Sequence, residues 1–360
     1  MNQLLTITWD MSRGLDLGVI TLRYYSLLFA LGFILGYMLM RQIFKKEGVA
    51  QEKLDTLLTY TVIATILGAR LGHVFFYQWD YYSQHPGEIL KVWEGGLASH
   101  GAAVAIIIAV IYYSKKSLKK PALWMFDRLV ITIALAAALI RVGNWFNSEI
   151  YGDIANSNIE TVFTDPVRHR VLDVFPNTME AIDFEATESK LITDSLVFPI
   201  YKMSFTVLPT VKPEHAESTL LNRIRPYVNS LDKDDKNILF MEDTKLTWSE
   251  ENKQVLTVEV LGVPRHPTQL YEAFAYLLIF LVLYRLYLLP GIAGRQGFIF
   301  GSFLVLLFGF RFFIEYYKEI QVSREAGMAL NMGQYLSIPL VLIGLYFIIT
   351  SKKKLDDQAK

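Results

Sequence analysis

The most unusual chemistry in this chain directly follows an apolar run at residues 129–140, where Arg141, Asn144, Asn147 and Glu149 occur within nine residues. Ionisable groups beside a membrane span are costly, so they persist mainly where they bind or react with something. If the helix continues, Arg141 and Asn144 share a face, and Glu149 returns near it. The alternative is an interfacial helix end whose arginine extends to lipid headgroups. The pattern therefore predicts an anion site or a membrane anchor.

Other polar groups occur in or beside apolar runs. Arg70, His73 and Tyr77 recur at i, i+3 and i+7, so they share one helical face. Glycines and alanines surround His100, which leaves a titratable group near the outer boundary. Further motifs are Arg23–Ser26, the Arg311/Glu315 pair at i, i+4, and residues 265–272, in which Pro267 suits a helix start. Most of these groups are predicted to face the outer half of a membrane.

Each group also has a structural alternative. Arg311 and Glu315 are consistent with an ion pair that only ties one turn together, and His100 with a hydrogen bond to a backbone carbonyl. Tyr25 and Tyr77 are typical of headgroup-level aromatic residues. Arg23, Lys318 and His266 are expected at the interface, and Gly68 and Gly72 in helix packing. A single polar cavity accounts for several arginines at less cost than many separate pairs.

Several arginines with amides and tyrosines suit a phosphate, which guanidinium binds with two parallel hydrogen bonds. A phosphate at membrane depth belongs to a phospholipid headgroup, and a nearby histidine would supply a general base. The spans contain no HExxH, GxSxG or paired aspartates, and the chain has no cysteine. Disulfides, thiolate metal sites and a cysteine nucleophile are therefore excluded. The sequence suggests neither a metal nor an organic cofactor.

The elements that must position these groups are membrane helices. Hydrophobic residues make up 52% of the 360 residues and charged residues only 19%, unlike an ordinary soluble domain. Seven runs have the length that crosses a hydrocarbon core, at about 18–40, 57–77, 96–114, 124–146, 268–289, 296–317 and 333–350. The first run is long and lacks a basic leader, so it is expected to remain as a span.

Orientation follows from the Lys and Arg residues of the short loops. Alternate loops are rich in these cations, namely Arg41, Lys45, Lys46, Lys53, Lys115, Lys116, Lys119, Lys120, Arg128, Arg285, Arg295 and Lys352–354. The short loops between them, at 78–95 and 318–332, contain only Lys91, Lys318 and Arg324. This bias predicts an outer N-terminus and a cytoplasmic C-terminus. The same bias explains the basic residues of these loops, so they give no indication of nucleic-acid binding.

A polar stretch at residues 153–262 interrupts the spans and is predicted to lie outside. The runs at 197–208 and 254–261 are typical of strands, and residues 232–237 of a turn. We therefore expect an all-α polytopic membrane protein with an inserted extracytoplasmic α/β or mostly β domain. The predicted divisions are 1–152 (spans one to four), 153–262 (the insertion) and 263–360 (spans five to seven and a tail). His169 and His215 in the insertion lack metal-ligand spacing.

Five blocks in this order resemble those of the prolipoprotein diacylglyceryl transferase family. Residues 141–152 (RVGNWFNSEIYG) are similar to its signature, and residues 95–101 (GGLASHG) to its histidine motif. Residues 265–272 (RHPTQLYE), 309–315 (GFRFFIE) and 332–339 (MGQYLSIP) are similar to its C-terminal blocks. The resemblance covers about 18–152 and 262–350.

The resemblance implies a multi-pass enzyme of bacterial inner membranes whose active site faces the outer leaflet. Its reaction moves the diacylglyceryl group of phosphatidylglycerol onto the lipobox cysteine thiol of a preprolipoprotein signal peptide, and releases glycerol 1-phosphate. We expect no nucleic-acid partner and a monomer among membrane lipid.

The resemblance also implies roles for individual residues. Arg141 and Arg311 would hold the phosphate, with Asn144, Glu149 and Gly152 shaping the site and Glu315 orienting Arg311. His100 is the candidate base, with Glu149 or a phosphate oxygen as competitors for the proton, and Tyr25 matches the family's span-one tyrosine. From the pattern of its helical face, Arg70 joins the expected phospholipid-binding residues.

Three departures from the family pattern stand out. Ala102 follows Gly101 where a glycine is usual, Leu307 stands where some members have a tyrosine, and the insertion is unusually long. The main rival function is a phospholipid or anion transporter with an arginine-lined cavity. A non-enzymatic scaffold is a weaker rival, since it leaves the arginines unexplained.

Overall fold

The computed structural model describes residues 5–18, 20–155, 159–193, 196–318 and 328–351. Arg324 and Lys352–354, which were counted for orientation, lie outside the described residues. The α-helices are, in order, α1 (Tyr24–Lys46), α2 (Gln51–Tyr77), α3 (Trp79–Tyr82), α4 (Ser99–Tyr113), α5 (Ala122–Phe146), α6 (Asp165–Val174), α7 (Pro213–Thr219), α8 (Arg225–Asn229), α9 (Thr268–Leu288), α10 (Phe298–Ile314) and α11 (Met332–Thr350).

Seven helices of the described chain are long and apolar enough to cross a membrane. They are α1, α2, α4 with its wider turn Ser114–Leu118, α5, α9, α10 with the turn Glu315–Tyr317, and α11. The seven predicted spans therefore each correspond to a helix, and this is a multi-pass membrane protein.

The first predicted span is wrong at both ends, because α1 begins at Tyr24 rather than near residue 18 and ends at Lys46 rather than near residue 40. Short strands at Gly14–Asp16 and Thr21–Arg23 pair antiparallel, with Leu15 opposite Leu22. The apolar residues before Tyr24 therefore lie in a hairpin, and Arg23 ends a strand instead of lying within the span. α2 likewise begins at Gln51, earlier than the second predicted span. The prediction missed its first turns because they are polar.

The strands are β1 (Leu5–Trp9), β2 (Gly14–Asp16), β3 (Thr21–Arg23), β4 (Ile159–Phe163), β5 (Met179–Ile192), β6 (Val197–Val207), β7 (Ile238–Phe240), β8 (Leu246–Trp248) and β9 (Val255–Gly262). β1 and β4 run parallel, with Leu5 opposite Ile159. The largest sheet has the antiparallel order β5-β6-β9-β7, and β8 also pairs with β9. The predicted strands at 197–208 and 254–261 are confirmed by β6 and β9.

The insertion has its own apolar core. Alternate residues of β6, among them Met203 and Phe205, are fully buried against Val258 of β9 and Leu220 of the helical segment that follows α7. This is the pattern of an antiparallel sheet with one face packed against helices. The division of the chain at residues 152 and 262 stays a prediction.

The contacts divide the chain into two compact units. The first unit comprises Met1–Phe29, Leu139–Ala275 and Phe310–Ser337, and it contains the sheets and the signature. The second unit comprises Ala30–Ala138, Tyr276–Gly309 and Ile338–Lys360.

In the second unit, glycines allow α2 and α4 to pack closely, as the sequence predicted for Gly68 and Gly72. A Cβ atom on Gly68 would lie 2.7 Å from the carbonyl oxygen of Gly101, and one on Gly72 would lie 2.7 Å from the Cα of Gly101. Close backbone approach of this kind is typical of membrane helix pairs with small residues. It fixes the start of α4, where His100 lies.

A second group in the same unit is ionic and buried. Arg128 donates to both carboxylate oxygens of Glu47 and to the carbonyl oxygen of Ala293. The Asp127 carboxylate accepts from the backbone N–H groups of Gly297 and Phe300, which caps the start of α10. Arg128 therefore belongs to a buried helix contact rather than to a loop.

Candidate active site

Arg141 lies in the last two turns of α5, where the helix leaves its apolar run. Its Nη1 donates to the Asn144 Oδ1 at 3.3 Å, across the i, i+3 spacing that the sequence predicted. Its Nε lies 3.2 Å from the Glu272 Oε2 of α9, a side chain with 0% exposure. The arginine is thus held from both sides, and a purely interfacial anchor does not describe it.

Glu149 lies near Arg141 for a different reason from the one expected. α5 ends at Phe146, and Ser148 then adopts a left-handed conformation with φ 52°, so the helical periodicity does not reach Glu149. The turn instead folds back, and the Glu149 N–H donates to the Asn144 carbonyl oxygen at 3.1 Å. The Glu149 Oε1 accepts from the Asn144 Nδ2 at 2.8 Å and from the Asn147 Nδ2 at 3.1 Å.

Arg311 is placed by α10 and pairs with Glu315 one turn later, as the i, i+4 spacing predicted. The Arg311 Nε lies 3.6 Å from the Glu315 Oε1, and its side chain is 37% exposed. Asn331 holds the other oxygen, since its Nδ2 donates to the Glu315 Oε2 at 3.2 Å. Arg311 is therefore paired with a carboxylate that Asn331 also holds, and part of its guanidinium surface is available to an anion.

Lys318 joins the two arginine–glutamate pairs. Its Nζ lies 3.1 Å from the Glu272 Oε1 and 3.5 Å from the Glu315 Oε1. The prediction that Lys318 lies at the interface is wrong, because its side chain is only 4% exposed between these carboxylates. An alternating chain of charges therefore runs Arg141–Glu272–Lys318–Glu315–Arg311.

This chain of charges can bind an anion at its ends. Buried carboxylates are tolerated when they are paired, and Lys318 contributes positive charge to both of them. Each glutamate thus pairs with two cations. The electrostatic potential at each arginine is therefore more positive than it would be in an isolated Arg–Glu pair. Sequence reasoning did not predict the contact between Glu272 and Lys318 or a role in the site for either residue, because the contact joins residues 46 apart.

Two glycines permit the close packing of this region. A Cβ atom on Gly152 would lie 2.4 Å from the Tyr317 carbonyl oxygen, and one on Gly333 would lie 2.5 Å from the Glu315 carboxyl carbon. Gly152 also donates its N–H to the His266 carbonyl oxygen at 2.9 Å. The signature end is therefore joined by backbone contacts to the segments that carry Glu315 and the start of α9.

Tyr25 lies against the signature helix, since a Cβ atom on Gly143 would lie 2.9 Å from its ring. Gly143 lies between Arg141 and Asn144 in sequence, so this packing sets the distance between α1 and the arginine's turn. Whether Tyr25 contacts a lipid stays a prediction.

Arg265 is fully buried and was not assigned a role from sequence. Its guanidinium donates to the carbonyl oxygens of Gly152, Lys233 and Lys236. It therefore ties the end of the signature to a loop of the insertion.

His266 was expected at the interface, yet it is half-buried beside the rings of Tyr271 and Tyr317. Its Nδ1 is buried and has no hydrogen-bond partner among the residues that the structure describes. Burial lowers the pKa of His266, which the charge of Asp153 opposes, so the neutral ring is favoured. Within the described part of the chain, no group of three or more His, Asp or Glu residues is placed to hold a metal ion.

The second unit carries Arg70, His73 and His100. Arg70 is 2% exposed, and its guanidinium donates to the carbonyl oxygens of Glu88, Ile89 and Gly95. Three such bonds fix the loop that precedes α4. A role for Arg70 in lipid binding stays a prediction.

His100 is exposed at the start of α4. Its ring lies 5.1 Å from the Phe76 ring and 5.7 Å from the Tyr77 ring, both measured between centroids. The nearby His73 instead contacts Gln78 at 3.1 Å. The function of His100 as a base stays a prediction.

Comparison with known proteins shows the family to which the chain belongs. Residues 14–350 match the family model described as prolipoprotein diacylglyceryl transferase. The chain belongs to this family. The match covers all seven long helices and the charged chain, and it makes the protein a transferase of lipoprotein biosynthesis.

Individual relatives are similar over nearly their whole length. The phosphatidylglycerol–prolipoprotein diacylglyceryl transferase of Tolumonas auensis is 33% identical over 94% of this chain and 95% of its own. Its namesakes in Chloroherpeton thalassium and Porphyromonas gingivalis are each 32% identical, over 97% and 96% of this chain respectively and 95% of their own.

Proposed function

We propose that this transferase moves the diacylglyceryl group of phosphatidylglycerol to the lipobox cysteine thiol of a preprolipoprotein. The observation that carries the proposal is the alternating charge chain with an arginine at each end. The names of the relatives agree with both substrates. The alternative of a phospholipid or anion transporter is not favoured by any of the relatives named above.

The reaction balances without an oxidant, a reductant or an added energy source. The substrate thiolate attacks the glyceryl carbon that bears the phosphate, so a C–S bond forms and a C–O bond breaks. Glycerol 1-phosphate leaves with one more negative charge than the phosphodiester had. The thiol proton passes to a base or to the leaving phosphate.

The arginines would stabilise the charge that develops on the leaving group. Guanidinium binds phosphate oxygens bidentately, and donors fixed before the reaction stabilise a transition state most effectively. Arg141 and Arg311 are proposed as the phosphate ligands, with Asn144 holding Arg141 and Glu149 holding Asn144. Glu315 orients Arg311, and Gly152 allows the close packing.

The nucleophile belongs to the substrate, which suits a chain without cysteine. His100 is the base that the family resemblance implies, and Glu149 is its competitor. A rate that is unchanged in His100→Gln would remove that role from His100 and leave the arginine proposal intact.

We also propose the bacterial inner membrane as the location, with the N-terminus and the insertion outside and the C-terminus in the cytoplasm. The cations of the short loops support this orientation. The active site would then face the outer leaflet, where a secreted polypeptide presents its thiol. A monomer would suffice, because both arginines come from one chain.

The test is a transfer assay with the purified full-length protein in phosphatidylglycerol vesicles. A lipobox peptide should gain the mass of one diacylglyceryl group, and glycerol phosphate should appear in equal amount. The same peptide with Ser in place of its acceptor Cys is the control. Movement of labelled lipid between leaflets without any modified peptide would instead support the transporter.

A further inference from the structure

A polar cleft of about 410 Å³ lies in the first unit, beyond the end of α5. One wall is the signature turn, including Asn147, Ser148 and Glu149, and the opposite wall is α6 of the insertion. The volume is within the range of ligand sites in proteins. The roles proposed above for the signature residues leave this cleft without a function.

The signature wall carries unsatisfied polar atoms. The Asn147 Oδ1 and the Ser148 Oγ are buried and have no hydrogen-bond partner among the described residues, and Ser148 is only 4% exposed. A buried polar atom without a partner costs about 1–3 kcal/mol, so this turn is held in place at an energetic cost. The group that this wall exposes to the cleft is the Glu149 carboxylate, an acceptor suited to the N–H groups of a polypeptide.

The backbone of this wall is also strained. Ser148 and Ile150 adopt left-handed conformations with φ 52° and 58°, and for a β-branched residue such as Ile150 this is an outlier. Strained residues cluster at functional sites. The strain here sets the direction of the turn that carries Glu149.

The charges of the cleft oppose a phosphate ligand. Arg170 is paired with Asp235, and Arg13 is paired with Asp165 at 2.7 Å, so two of the cations are already neutralised. Asp173 and Glu149 add negative charge to the lining. A cleft of mixed charge disfavours an anionic headgroup and an acyl chain, but it suits a polar peptide segment.

Glu149 connects the cleft to the proposed phosphate site. It lines the cleft, and it also accepts a hydrogen bond from Asn144, whose side chain accepts one from Arg141. Glu149 therefore lies two hydrogen bonds away from Arg141, and a ligand that it binds in the cleft lies three away.

We infer that this cleft binds the acceptor polypeptide, specifically the polar segment next to its reacting thiol. The inference rests on the proposed function, because that function supplies a polypeptide substrate. It assigns lipid and polypeptide to different residues of one unit. The two substrates should then respond separately to substitution.

The kinetic test compares Asp173→Lys with Asp183→Lys. Asp173 lines the cleft, whereas Asp183 is an exposed residue of β5 that does not line it. Asp173→Lys should change the KM for peptides by roughly three- to tenfold, in opposite directions for peptides with Lys or Glu beside the acceptor residue. The KM for phosphatidylglycerol should not change. Equal peptide KM values in the two variants would overturn the inference.

A binding test does not depend on transfer. Because the chain has no cysteine, a single cysteine at position 173 or 183 can carry a photoreactive benzophenone. A lipobox peptide with Ser in place of its acceptor Cys should crosslink to position 173 and not to position 183. Equal crosslinking at both positions, or crosslinking of position 173 to lipid alone, would overturn the inference. If wild type fails to transfer while position 173 still captures the peptide, only the proposed function fails.

Discussion

At the scale of single residues, the site depends on how each charge is shared. Arg311 and Glu315 could be paired from sequence, because i, i+4 neighbours on a helix face each other. Lys318 and Glu272 could not, since no local spacing relates residues of different helices. The long-range contact changes the reading of Lys318 from an interfacial cation to the centre of the charge chain.

Replacing Lys318 should therefore weaken lipid binding. Lys318→Met keeps the length of the side chain but removes a positive charge, so that Arg141 alone pairs with Glu272 and Arg311 alone pairs with Glu315. We expect the KM for phosphatidylglycerol to rise on the order of tenfold, with partial recovery in Lys318→Arg. The measurement is initial rate against lipid concentration at saturating peptide.

The matched control is Lys233→Met. Lys233 pairs with Asp153 at 2.7 Å, but its side chain is exposed, and surface pairs contribute little. Equal KM changes in both variants, or failure of Lys318→Arg to recover any activity, would contradict the role of Lys318.

Gly333→Ala tests the fixed position of Glu315. The new methyl group would have to displace the Glu315 carboxylate, which holds both Arg311 and Lys318. We expect transfer to fall by roughly tenfold or more, as measured by peptide mass. Gly309→Ala is the control, because a Cβ atom there has nothing within 4 Å. Equal activity of the two variants would show that the Glu315 position is not limiting.

At the scale of elements, the sequence predicted regular patterns and missed those that depend on distant partners. β6 and β9 have the β-rich composition and alternation of strands, and the structure contains both. β5 was missed because its polar residues interrupt the alternation, and its register shifts between Ala186 and Lys190. β1 and β4 form a parallel pair between residues about 150 apart, which no local pattern indicates.

α6 is attached to the N-terminal segment by ionic contacts, and these predict a pH dependence. The Asp165 hydrogen bond raises the pKa of His169, while its burial opposes this. For Asp165, burial raises the pKa, but hydrogen bonds from His169 and Arg13 outweigh it and hold the pKa below its usual value. A histidine whose pKa is higher in the folded than in the unfolded protein contributes stability that is fully present below the unfolded pKa. This stability is lost as the pH rises through the folded pKa. A carboxyl group whose pKa is lower in the folded than in the unfolded protein contributes stability that is fully present above the unfolded pKa. This stability is lost as the pH falls through the folded pKa.

His169→Gln should therefore lower Tm more at about pH 5.5 than at about pH 8.5, by on the order of 2 °C. Differential scanning fluorimetry in detergent is the measurement. His215→Gln, at another exposed histidine of the insertion, should show no such difference. A Tm difference that is larger at the higher pH would contradict the assignment of the pair.

At the scale of the whole molecule, the proposed reaction requires the insertion and both arginine ends of the charge chain to lie outside the cytoplasm. The absence of cysteine makes this testable with single introduced thiols. An impermeant maleimide should label Asp243→Cys in intact cells, and Lys116→Cys only after the membrane is opened. Both positions are exposed in the structure. The reverse labelling pattern would contradict the orientation.

The most direct measurement of the central claim is the transfer rate of Arg141→Gln and Arg311→Gln, with Arg23→Gln as the control. Arg23 is exposed at the end of β3, so its loss should leave the rate within about twofold of wild type. Each of the other two variants should lose at least roughly 100-fold in the rate of diacylglyceryl transfer to a lipobox peptide, at saturating substrates and with wild-type Tm. Near wild-type rates in either folded variant would contradict the claim that the ends of the charge chain stabilise the leaving phosphate.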